Sequence, residues 1–516
     1  MHDSQKNQKL LWGIVLSGVA VRVVLLWLLR GEFVGWFNHT YYYYVQTGGL
    51  LKQGVLPFPD MPLLFYLYAL TAKGMAFLGA DTSAAIVGSS RFWMCLFPSL
   101  IPIPVFAVLQ SLDPWNTLRR RKWMLVAASG LLPLTVMHLP EMLQKNALGL
   151  LLLAVLMALT YKALQSFTWQ KAVAIIVVVA LILFTHLGTA VAALLYALAV
   201  WIALVLVHPR KAQLLWWGGK LVLAALLVAL LVTFSMDVGR GERMLHYAFT
   251  SFRTSWLATL FTKPIGHPDW FPALVGTIFP AAILWWLLRA YHRKHELLET
   301  WDRVFWLSAI FFAYLLVFPL WDPAVTVRFI LFLSLPLLWI VGYLLLRYLS
   351  KRWIKNLLAG SLASLCLLML IGEAISSQLN RQRNRATYEE LLALKEEIRF
   401  SADDDLILSQ NGAEHIANWF LGTKASLITS LTQEDFQTYR NVYVLTPTET
   451  RVEEWQYTGK STADEEDRYW LMRHPVLLPA DAEELVSTPY LLLHQLPESP
   501  ANWVFDQKGA WLSYEK

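Results

Sequence analysis

The chain has 516 residues, of which 56% are hydrophobic and 24 are tryptophans, and its formal net charge is +6. Apolar runs of about 20 residues recur along it, which excludes a soluble enzyme because this is the length of a transmembrane helix. The basic residues lie between these runs and not on one domain, so the charge does not indicate nucleic-acid binding. Cys95 and Cys366 lie inside apolar runs, which excludes a disulfide framework.

The apolar runs predict about eleven transmembrane helices. In chain order they are 10–30, 86–110, 123–138, 142–163, 171–185, 187–207, 215–235, 271–290, 302–320, 328–348 and 354–375. The first run lacks a small-residue cleavage site before Gly31, which favours a retained anchor helix. With eleven crossings the basic clusters between helices, such as residues 119–122, all fall on the N-terminal side, which the positive-inside rule makes cytoplasmic.

The segment 31–85 is predicted to be an external loop whose beginning is too polar to cross a bilayer. The charge pattern requires that 62–78 does not cross, so we expect this part to lie in the membrane interface or to re-enter. An ordinary twelfth span is the alternative. Residues 41–44 are four tyrosines, and an interfacial aromatic belt is the simpler interpretation of at least two of them.

Ionisable residues near the external ends of the helices are the candidates for chemistry, because charge is costly there. His138 and Glu141, followed by Lys145, can bind a divalent ion or transfer a proton; the simpler interpretation is a helix-capping Glu141 paired with Lys145. Arg328 suits a phosphate contact, or pairs with Asp322.

Arg91 is a further candidate anion contact, with Asp60 or Asp81 as alternative structural partners. The run ending at residue 185 is short, and Thr185-His186-Leu187-Gly188 interrupts the apolar sequence there. Such a break is tolerated where the backbone is buried in protein or lines a wet cavity. His186 is then either a substrate contact or a histidine that serves the helix break.

Residues 376–516 are charged and predict a soluble α/β domain of about 140 residues, which is enough to bury a core. TYEELLALKEEI has a helical period, and DLILS, NVYVLT, YLLLHQL and NWVF read as strands. Eleven crossings place this domain outside. It contains no Gly-rich phosphate loop, nucleophile elbow or metal-ligand spacing.

The order of these features resembles the GT-C superfamily, the integral-membrane glycosyltransferases that use polyprenyl-phosphate-linked sugars, including protein O-mannosyltransferases and lipid A aminoarabinose transferases. The resemblance covers residues 10–375 and is carried by short motifs. These are Lys52-Gln53-Gly54-Val55-Leu56-Pro57, Pro62-Leu63-Leu64-Phe65-Tyr66, Arg91, Glu141, Thr185-His186-Leu187-Gly188 and Arg328-Phe329. It implies a polytopic α-helical membrane protein with a GT-C-like domain at 1–375 and an external α/β domain at 376–516.

The resemblance also implies a donor, a polyprenyl or dolichyl phosphate-linked sugar, with membrane lipid as a partner and an acceptor of unknown identity, at the external face of a bacterial or archaeal cell membrane. The family has an acid in the first loop where this chain has Asn38-His39. The candidate catalytic residues are therefore His39, Glu32, Asp60 and Glu141. The candidate substrate contacts are Asn38, Tyr42, Arg91, Lys145, His186, Arg240, Arg243 and Arg328.

The sequence establishes no cofactor, and whether a divalent metal joins the site stays open, with Glu141 and His138 as its candidate ligands. Two other functions fit the same sequence. A non-catalytic subunit of GT-C fold would bind the lipid carrier, and the missing first-loop acid favours it. A transporter of lipid-linked sugars would have a polar site at mid-depth, whereas the charges here lie mostly at one face.

Overall fold

The structure is a computed structural model of the chain. The residues that it describes are 2–29, 40–112, 119–131, 144–207, 213, 220, 253–264, 267, 269–294, 298–344, 352–409, 413–448, 478–479, 481–497, 503–505 and 511–513. The chain divides into two compact units. The first consists of Met1–Val23, Phe58–Thr71 and Arg91–Glu373, and the second of Val24–Pro57, Ala72–Ser90 and Ala374–Lys516. The second unit thus takes in two segments that precede residue 375, where the sequence predicts a domain boundary.

The described apolar runs of the sequence are helical, and further helices lie in the predicted loops between them. In chain order they are α1 (His2–Val23, continued by a π-helical turn, Val24–Leu29), α2 (Thr40–Gln53), α3 (Leu63–Phe77), α4 (Thr82–Leu100), α5 (Pro102–Leu112), α6 (Arg119–Leu131), α7 (Gln144–Gln165), α8 (Trp169–Thr185), α9 (Leu187–Val207), α10 (Trp256–Thr262), α11 (Trp270–Lys294), α12 (Thr300–Leu316), α13 (Pro323–Tyr343) and α14 (Arg352–Glu397). A helix pairs its backbone N–H and C=O groups internally, which is necessary because lipid offers them no hydrogen-bond partners.

Several of these helices are long and apolar enough to cross a membrane. Among the described residues they are Gln5–Leu26, Thr82–Leu112, Gln144–Gln165, Leu187–Val207 and Trp270–Arg293. Shorter apolar helices are Leu63–Phe77, Trp169–Thr185 and Phe329–Tyr343. The prediction of an integral membrane protein is confirmed. The number of eleven spans stays a prediction, and most of the predicted span 215–235 lies outside the described residues.

Helix α3 is the segment whose depth in the membrane decides the predicted topology. Its 15 residues correspond to about 22 Å of helix, less than the roughly 30 Å of a hydrocarbon core. The interfacial placement of 62–78 stays a prediction. Within this segment Tyr66 is exposed, as a tyrosine in a membrane interface would be, whereas Tyr68 is not. Tyr68 is fully buried because it lies on the face of α3 that packs inside the first unit.

A buried arginine ties α1 to two later helices of the first unit. The Arg22 guanidinium is fully buried, and it donates to the Ser99 hydroxyl at 3.1 Å and to the Gly130 carbonyl at 2.6 Å. Ser99 lies in α4 and Gly130 in α6. A charged side chain inside an apolar region is costly without such hydrogen bonds. Arg22 therefore helps to fix the relative positions of these three helices.

Helices α7 and α9 approach closely at Gly149, where a Cβ would overlap the side chain of Thr189. Small residues permit such contacts between membrane helices. We expect Gly149→Ala to lower the free energy of unfolding by about 1–3 kcal/mol, because the added methyl group overpacks the contact. Thermal unfolding in one detergent measures this change.

Gly74→Ala is the matched control for the Gly149 prediction. Gly74 lies in α3, and a Cβ there would meet nothing within 4 Å. Alanine favours the helix at an open position by about 0.5–1 kcal/mol. The two variants should therefore shift the unfolding temperature in opposite directions, and equal shifts would contradict the close approach of α7 and α9.

The second unit contains a five-stranded sheet with the strand order β2-β1-β3-β5-β4. The strands are β1 (Asp405–Ser409), β2 (Lys424–Leu427), β3 (Asn441–Pro447), β4 (Glu483–Ser487) and β5 (Leu491–Gln495), with α15 (Ala413–Leu421) after β1 and α16 (Gln433–Thr438) before β3. β1 pairs in parallel with β2 and β3, whereas β5 is antiparallel to β3 and β4. β6 (Trp503–Phe505) and β7 (Trp511–Ser513) form a separate antiparallel pair.

Side chains alternate between the two faces of this sheet, as the period of a strand requires. Leu408 and Val444 face one apolar cluster, and Ile407 and Leu445 face another. Helix α15 covers the second cluster, to which Tyr41 of α2 also belongs. The strands β1, β3, β5 and β6 fall on the segments that the sequence predicts. A separate soluble domain at 376–516 stays a prediction.

His494 gives the sheet a predicted dependence on pH. Burial in β5 lowers the pKa of His494 below its ordinary value of 6.5, and Glu484, at 3.6 Å, opposes this shift only in part. Above pH 6.5 the imidazole is neutral in both the folded and the unfolded chain. Below it the unfolded chain binds the proton more readily, so stability falls as the pH drops from 6.5 towards the lower pKa of His494 in the folded chain.

We expect His494→Gln to flatten this pH dependence, because glutamine does not titrate. Thermal unfolding of the wild type and the variant between about pH 5.5 and pH 7.5 brackets the titration of an ordinary histidine. An equally steep loss of stability in both proteins would show that other groups cause it.

Candidate functional site

The first unit buries an ion pair between residues that lie far apart in the sequence. The Lys145 ammonium contacts the Oδ2 atom of Asp60, and the two side chains are only 5% and 9% exposed. The Asp60 Oδ1 atom also accepts a hydrogen bond from the backbone N–H of Met61 at 2.8 Å. Asp60 lies just before α3, and Lys145 lies in the first turn of α7. The starts of two helices therefore meet at this pair.

One face of α3 forms the wall of this site. Phe65 and Tyr68 lie three residues apart and thus on the same side of the helix, and both are fully buried. The Lys145 ammonium lies 4.8 Å from the centre of the Phe65 ring. The Tyr68 hydroxyl donates to the Oε1 atom of Gln144 at 2.8 Å. Residues of α3 thus contact two adjacent polar side chains of α7.

Burial makes this ion pair energetically significant. Removing two charges from water costs several kcal/mol for each ion, so a buried pair is weak evidence for stability alone. In a membrane protein, buried ionisable groups are rare and usually functional. The geometry provides a carboxylate and an ammonium in a place where water is mostly excluded and electrostatic interactions are strong.

No sequence pattern predicts the contact of Lys145 with Asp60, although both residues are candidates for the site. Sequence spacing favours Glu141 as the partner of Lys145, because residues four apart in a helix are neighbours. Glu141 and His138 lie outside the described residues, as do Glu32, Asn38 and His39 of the first loop and Arg240 and Arg243 of the later loop. Their predicted roles stay predictions.

His186 stands at the break between α8 and α9, where the sequence predicts one. Its Nδ1 atom accepts a hydrogen bond from the backbone N–H of Thr189 at 3.3 Å, so the imidazole caps the first turn of α9. This contact agrees with the interpretation of His186 as a helix-break histidine. Its assignment as a substrate contact stays a prediction.

The two candidate arginines lie in helices of the first unit. Arg91 is half-buried in α4, and Arg328 lies near the start of α13. Asp322, the predicted partner of Arg328, accepts a hydrogen bond from the Thr254 hydroxyl at 2.5 Å. Asp81, an alternative partner of Arg91, accepts a hydrogen bond from the backbone N–H of Ser83 at 2.9 Å and so caps α4. Anion binding by either arginine stays a prediction.

The tyrosines of α2 belong to the second unit and are not an interfacial belt. Tyr41, Tyr43 and Tyr44 are buried, because α2 packs against α15. The ring centre of Tyr41 lies 5.3 Å from that of Phe420, and the ring centre of Tyr44 lies 5.1 Å from that of Trp419. The interpretation as a belt is therefore wrong for these three residues.

Tyr42, the tyrosine predicted to contact substrate, is half-buried in the same helix. Its ring centre lies 5.0 Å from that of His415, and its hydroxyl accepts a hydrogen bond from Gln46 at 2.9 Å. Glu414 lies 3.4 Å from His415. No sequence motif surrounds Glu414 or His415. A substrate contact by Tyr42 stays a prediction.

The described residues contain no group of three or more His, Cys, Asp or Glu side chains arranged to hold a metal ion. The candidate metal ligands Glu141 and His138 are not among these residues. The site residues that sequence analysis missed are Phe65, Tyr68 and Gln144. Phe65 and Tyr68 could have been recognised from the sequence, because they are aromatic residues three positions apart in a helix that follows Asp60 directly.

No protein-family model matches the chain, and no curated protein matches it. Solved structures do match. ArnT from Cupriavidus metallidurans, in crystals with bound undecaprenyl phosphate, aligns with a TM-score of 0.55 at 12% identity, over 94% of this chain and 98% of that chain. Its apo state aligns with a TM-score of 0.53 at 12% identity, over 95% and 98%.

The apo crystal structure of the Archaeoglobus fulgidus oligosaccharyltransferase also matches, with a TM-score of 0.51 at 11% identity, over 86% of this chain and 70% of that chain. Identities this low establish the fold and not the activity. The resemblance drawn from the order of short motifs agrees with these structures. The chain is an integral membrane protein that shares the fold of ArnT and of the oligosaccharyltransferase.

Proposed function

We propose that the protein is a glycosyltransferase that moves a sugar from a polyprenyl-phosphate-linked donor to an acceptor hydroxyl at the external face of the membrane. The buried pair of Asp60 and Lys145, in a chain of GT-C fold, carries this proposal. The Lys145 ammonium is suited to binding an anionic phosphate, and the Asp60 carboxylate is suited to accepting the proton of an acceptor hydroxyl.

Lys145 would bind the phosphate of the donor. Ammonium–phosphate hydrogen bonds are charge-assisted and about twice as strong as neutral ones. The Phe65 ring below the ammonium and the low exposure of Lys145 keep water away, which strengthens the attraction. As the bond between the sugar C1 atom and the phosphate oxygen breaks, the departing phosphate gains negative charge, and Lys145 stabilises it.

Asp60 would act as the general base. Its carboxylate takes the proton of the acceptor hydroxyl while the acceptor oxygen forms a bond to the sugar C1 atom. The C1–oxygen bond to phosphate breaks in the same reaction, and the electron pair leaves with polyprenyl phosphate. Asp60 would thus replace the first-loop acid that is absent at Asn38-His39, since Asp60 lies later in the same loop.

The lipid class is supported by the ArnT structure, which holds undecaprenyl phosphate and covers nearly the whole chain. The external position of the site is supported by the distribution of basic residues, which predicts a cytoplasmic N-terminus and an external start of α3. A divalent metal, with Glu141 and His138 as ligands, stays part of the proposal and would stabilise charge on the phosphate.

A non-catalytic subunit that binds the lipid carrier is the second candidate function. The observation that favours it is the engagement of the Asp60 carboxylate with both Lys145 and the backbone of Met61. A carboxylate held in this way is suited to fixing the position of Lys145. Such a subunit would bind polyprenyl phosphate without cleaving a sugar from it.

Binding of decaprenyl phosphate to the purified protein tests the common part of both functions. We expect Lys145→Met to weaken binding at least about 10-fold, because it removes a charge-assisted hydrogen bond. Lys73→Met is the matched control, since Lys73 is an exposed lysine of α3. An unchanged dissociation constant in Lys145→Met, with the protein folded, would contradict phosphate binding at this site.

A further inference from the structure

Three adjacent polar side chains are buried at the start of α7. Gln144, Lys145 and Asn146 are 1%, 4% and 5% exposed, and apolar residues follow them. Burying polar groups in an apolar environment is costly unless each has a hydrogen-bond partner. Three such residues in sequence at one helix start therefore require partners or a function.

Two of the three have partners within the first unit. Gln144 accepts a hydrogen bond from Tyr68, and Lys145 pairs with Asp60. The Oδ1 atom of Asn146 is buried and receives no hydrogen bond from any part of the chain that the structure describes. An unsatisfied buried acceptor costs about 1–3 kcal/mol. A ligand that supplies a donor would remove this cost.

The position of Asn146 on α7 indicates where that ligand would lie. Gly149, three residues further on and thus on the same side of the helix, packs against Thr189 in the first turn of α9. Helical side chains lean towards the N-terminus. Asn146 is therefore directed towards the N-terminal end of the α7–α9 contact, beside Lys145 and near the helix break at His186.

We infer that Asn146 binds a hydroxyl group of the sugar on the donor. This inference rests on the proposed function and adds to it a residue that recognises the transferred group. The unsatisfied atom is an acceptor, and a sugar hydroxyl donates a hydrogen bond. An ionised phosphate has only acceptor oxygens, so it does not satisfy this atom. Lys145 would thus hold the phosphate, and its neighbour Asn146 would hold the sugar.

Thermal unfolding of the full-length protein with two probes tests the inference. The probes are decaprenyl phosphate and decaprenyl phosphate mannose, which differ only in the sugar. In the wild type both should raise the unfolding temperature, and the mannose-linked lipid should bind more tightly. Asn146→Leu should bind decaprenyl phosphate as the wild type does, but should bind the mannose-linked lipid about 10-fold more weakly than the wild type.

The ligand-free variants separate this role from a structural one. Asn146→Leu removes a buried unsatisfied acceptor, so without lipid it should unfold at the same temperature as the wild type or higher. Gln144→Leu is the matched control, because it leaves the buried Tyr68 hydroxyl without its acceptor and should unfold at a lower temperature.

Two outcomes would overturn the inference alone. One is an unchanged affinity of Asn146→Leu for the mannose-linked lipid. The other is an equal loss of affinity for both lipids together with a less stable ligand-free protein, which would show that Asn146 has a structural role. If neither lipid binds the wild type, the proposed function is overturned, and the inference falls with it.

Discussion

Asp60→Asn is expected to lower the rate of sugar transfer at least about 100-fold, because an amide cannot take the proton of the acceptor hydroxyl. The same change removes a buried charge partner of Lys145, which is expected to cost about 3–5 kcal/mol of stability. The rate is measured as mannose transferred from decaprenyl phosphate mannose, and stability as thermal unfolding in the same detergent.

The double variant Asp60→Asn with Lys145→Met separates the two effects. It removes both buried charges, so it should recover much of the lost stability while transfer stays absent. Transfer restored together with stability would contradict the role of Asp60 as a base and leave it a structural partner of Lys145. Full transfer in Asp60→Asn itself would contradict the proposed site.

Tyr41→Ala is expected to destabilise the second unit by about 3–5 kcal/mol, the range for removing a large buried aromatic side chain. Tyr41 is fully buried and packs edge-on against Phe420 of α15 and Tyr44 of α2. Limited proteolysis of the C-terminal residues measures the change, because the loss of α2 from the core opens the sheet to cleavage.

Tyr66→Ala is the control for Tyr41→Ala. Tyr66 lies in α3 with 57% of its surface exposed, so its removal leaves no large cavity in the protein. Rapid cleavage in Tyr41→Ala and not in Tyr66→Ala is the expected pattern. Equal cleavage of the two variants and the wild type would show that α2 does not stabilise the sheet.

Local patterns in the sequence predicted those parts of the fold that depend on neighbouring residues. The break between α8 and α9 is at His186, where polar residues interrupt an apolar run. The apolar run DLILS is β1, an interior strand of the sheet between β2 and β3, which is buried on both faces and so has no alternation. In both cases the residues that define the element lie within it.

The charge partner of Lys145 depends on residues that no local pattern connects. Asp60 and Lys145 are 85 residues apart in the sequence. Glu141 is a closer acid with helical spacing and was the more natural expectation. Only the packing of α3 against α7 brings Asp60 to the ammonium. The composition of a membrane protein indicates that a buried charge has a partner of opposite charge, but it does not indicate which residue that partner is.

The tyrosines of α2 are a second feature that could not be predicted from the sequence. Aromatic residues in an external loop suit both a membrane interface and a protein core, because their rings are apolar and their hydroxyl groups are polar. Trp419 and Phe420, which contact them, lie more than three hundred residues later in the chain. Composition favours a position in the membrane interface, whereas the packing of α2 against α15 buries these tyrosines in a protein core.

Cleavage of the donor by the purified protein distinguishes a glycosyltransferase from a subunit that only binds the lipid carrier. The measurement is a single-turnover assay of decaprenyl phosphate released from decaprenyl phosphate mannose, with a cell-envelope fraction as the source of acceptor. We expect the wild type to release decaprenyl phosphate and Asp60→Asn to bind the donor without releasing it. Binding without any release by the wild type would contradict the account and show a carrier-binding subunit.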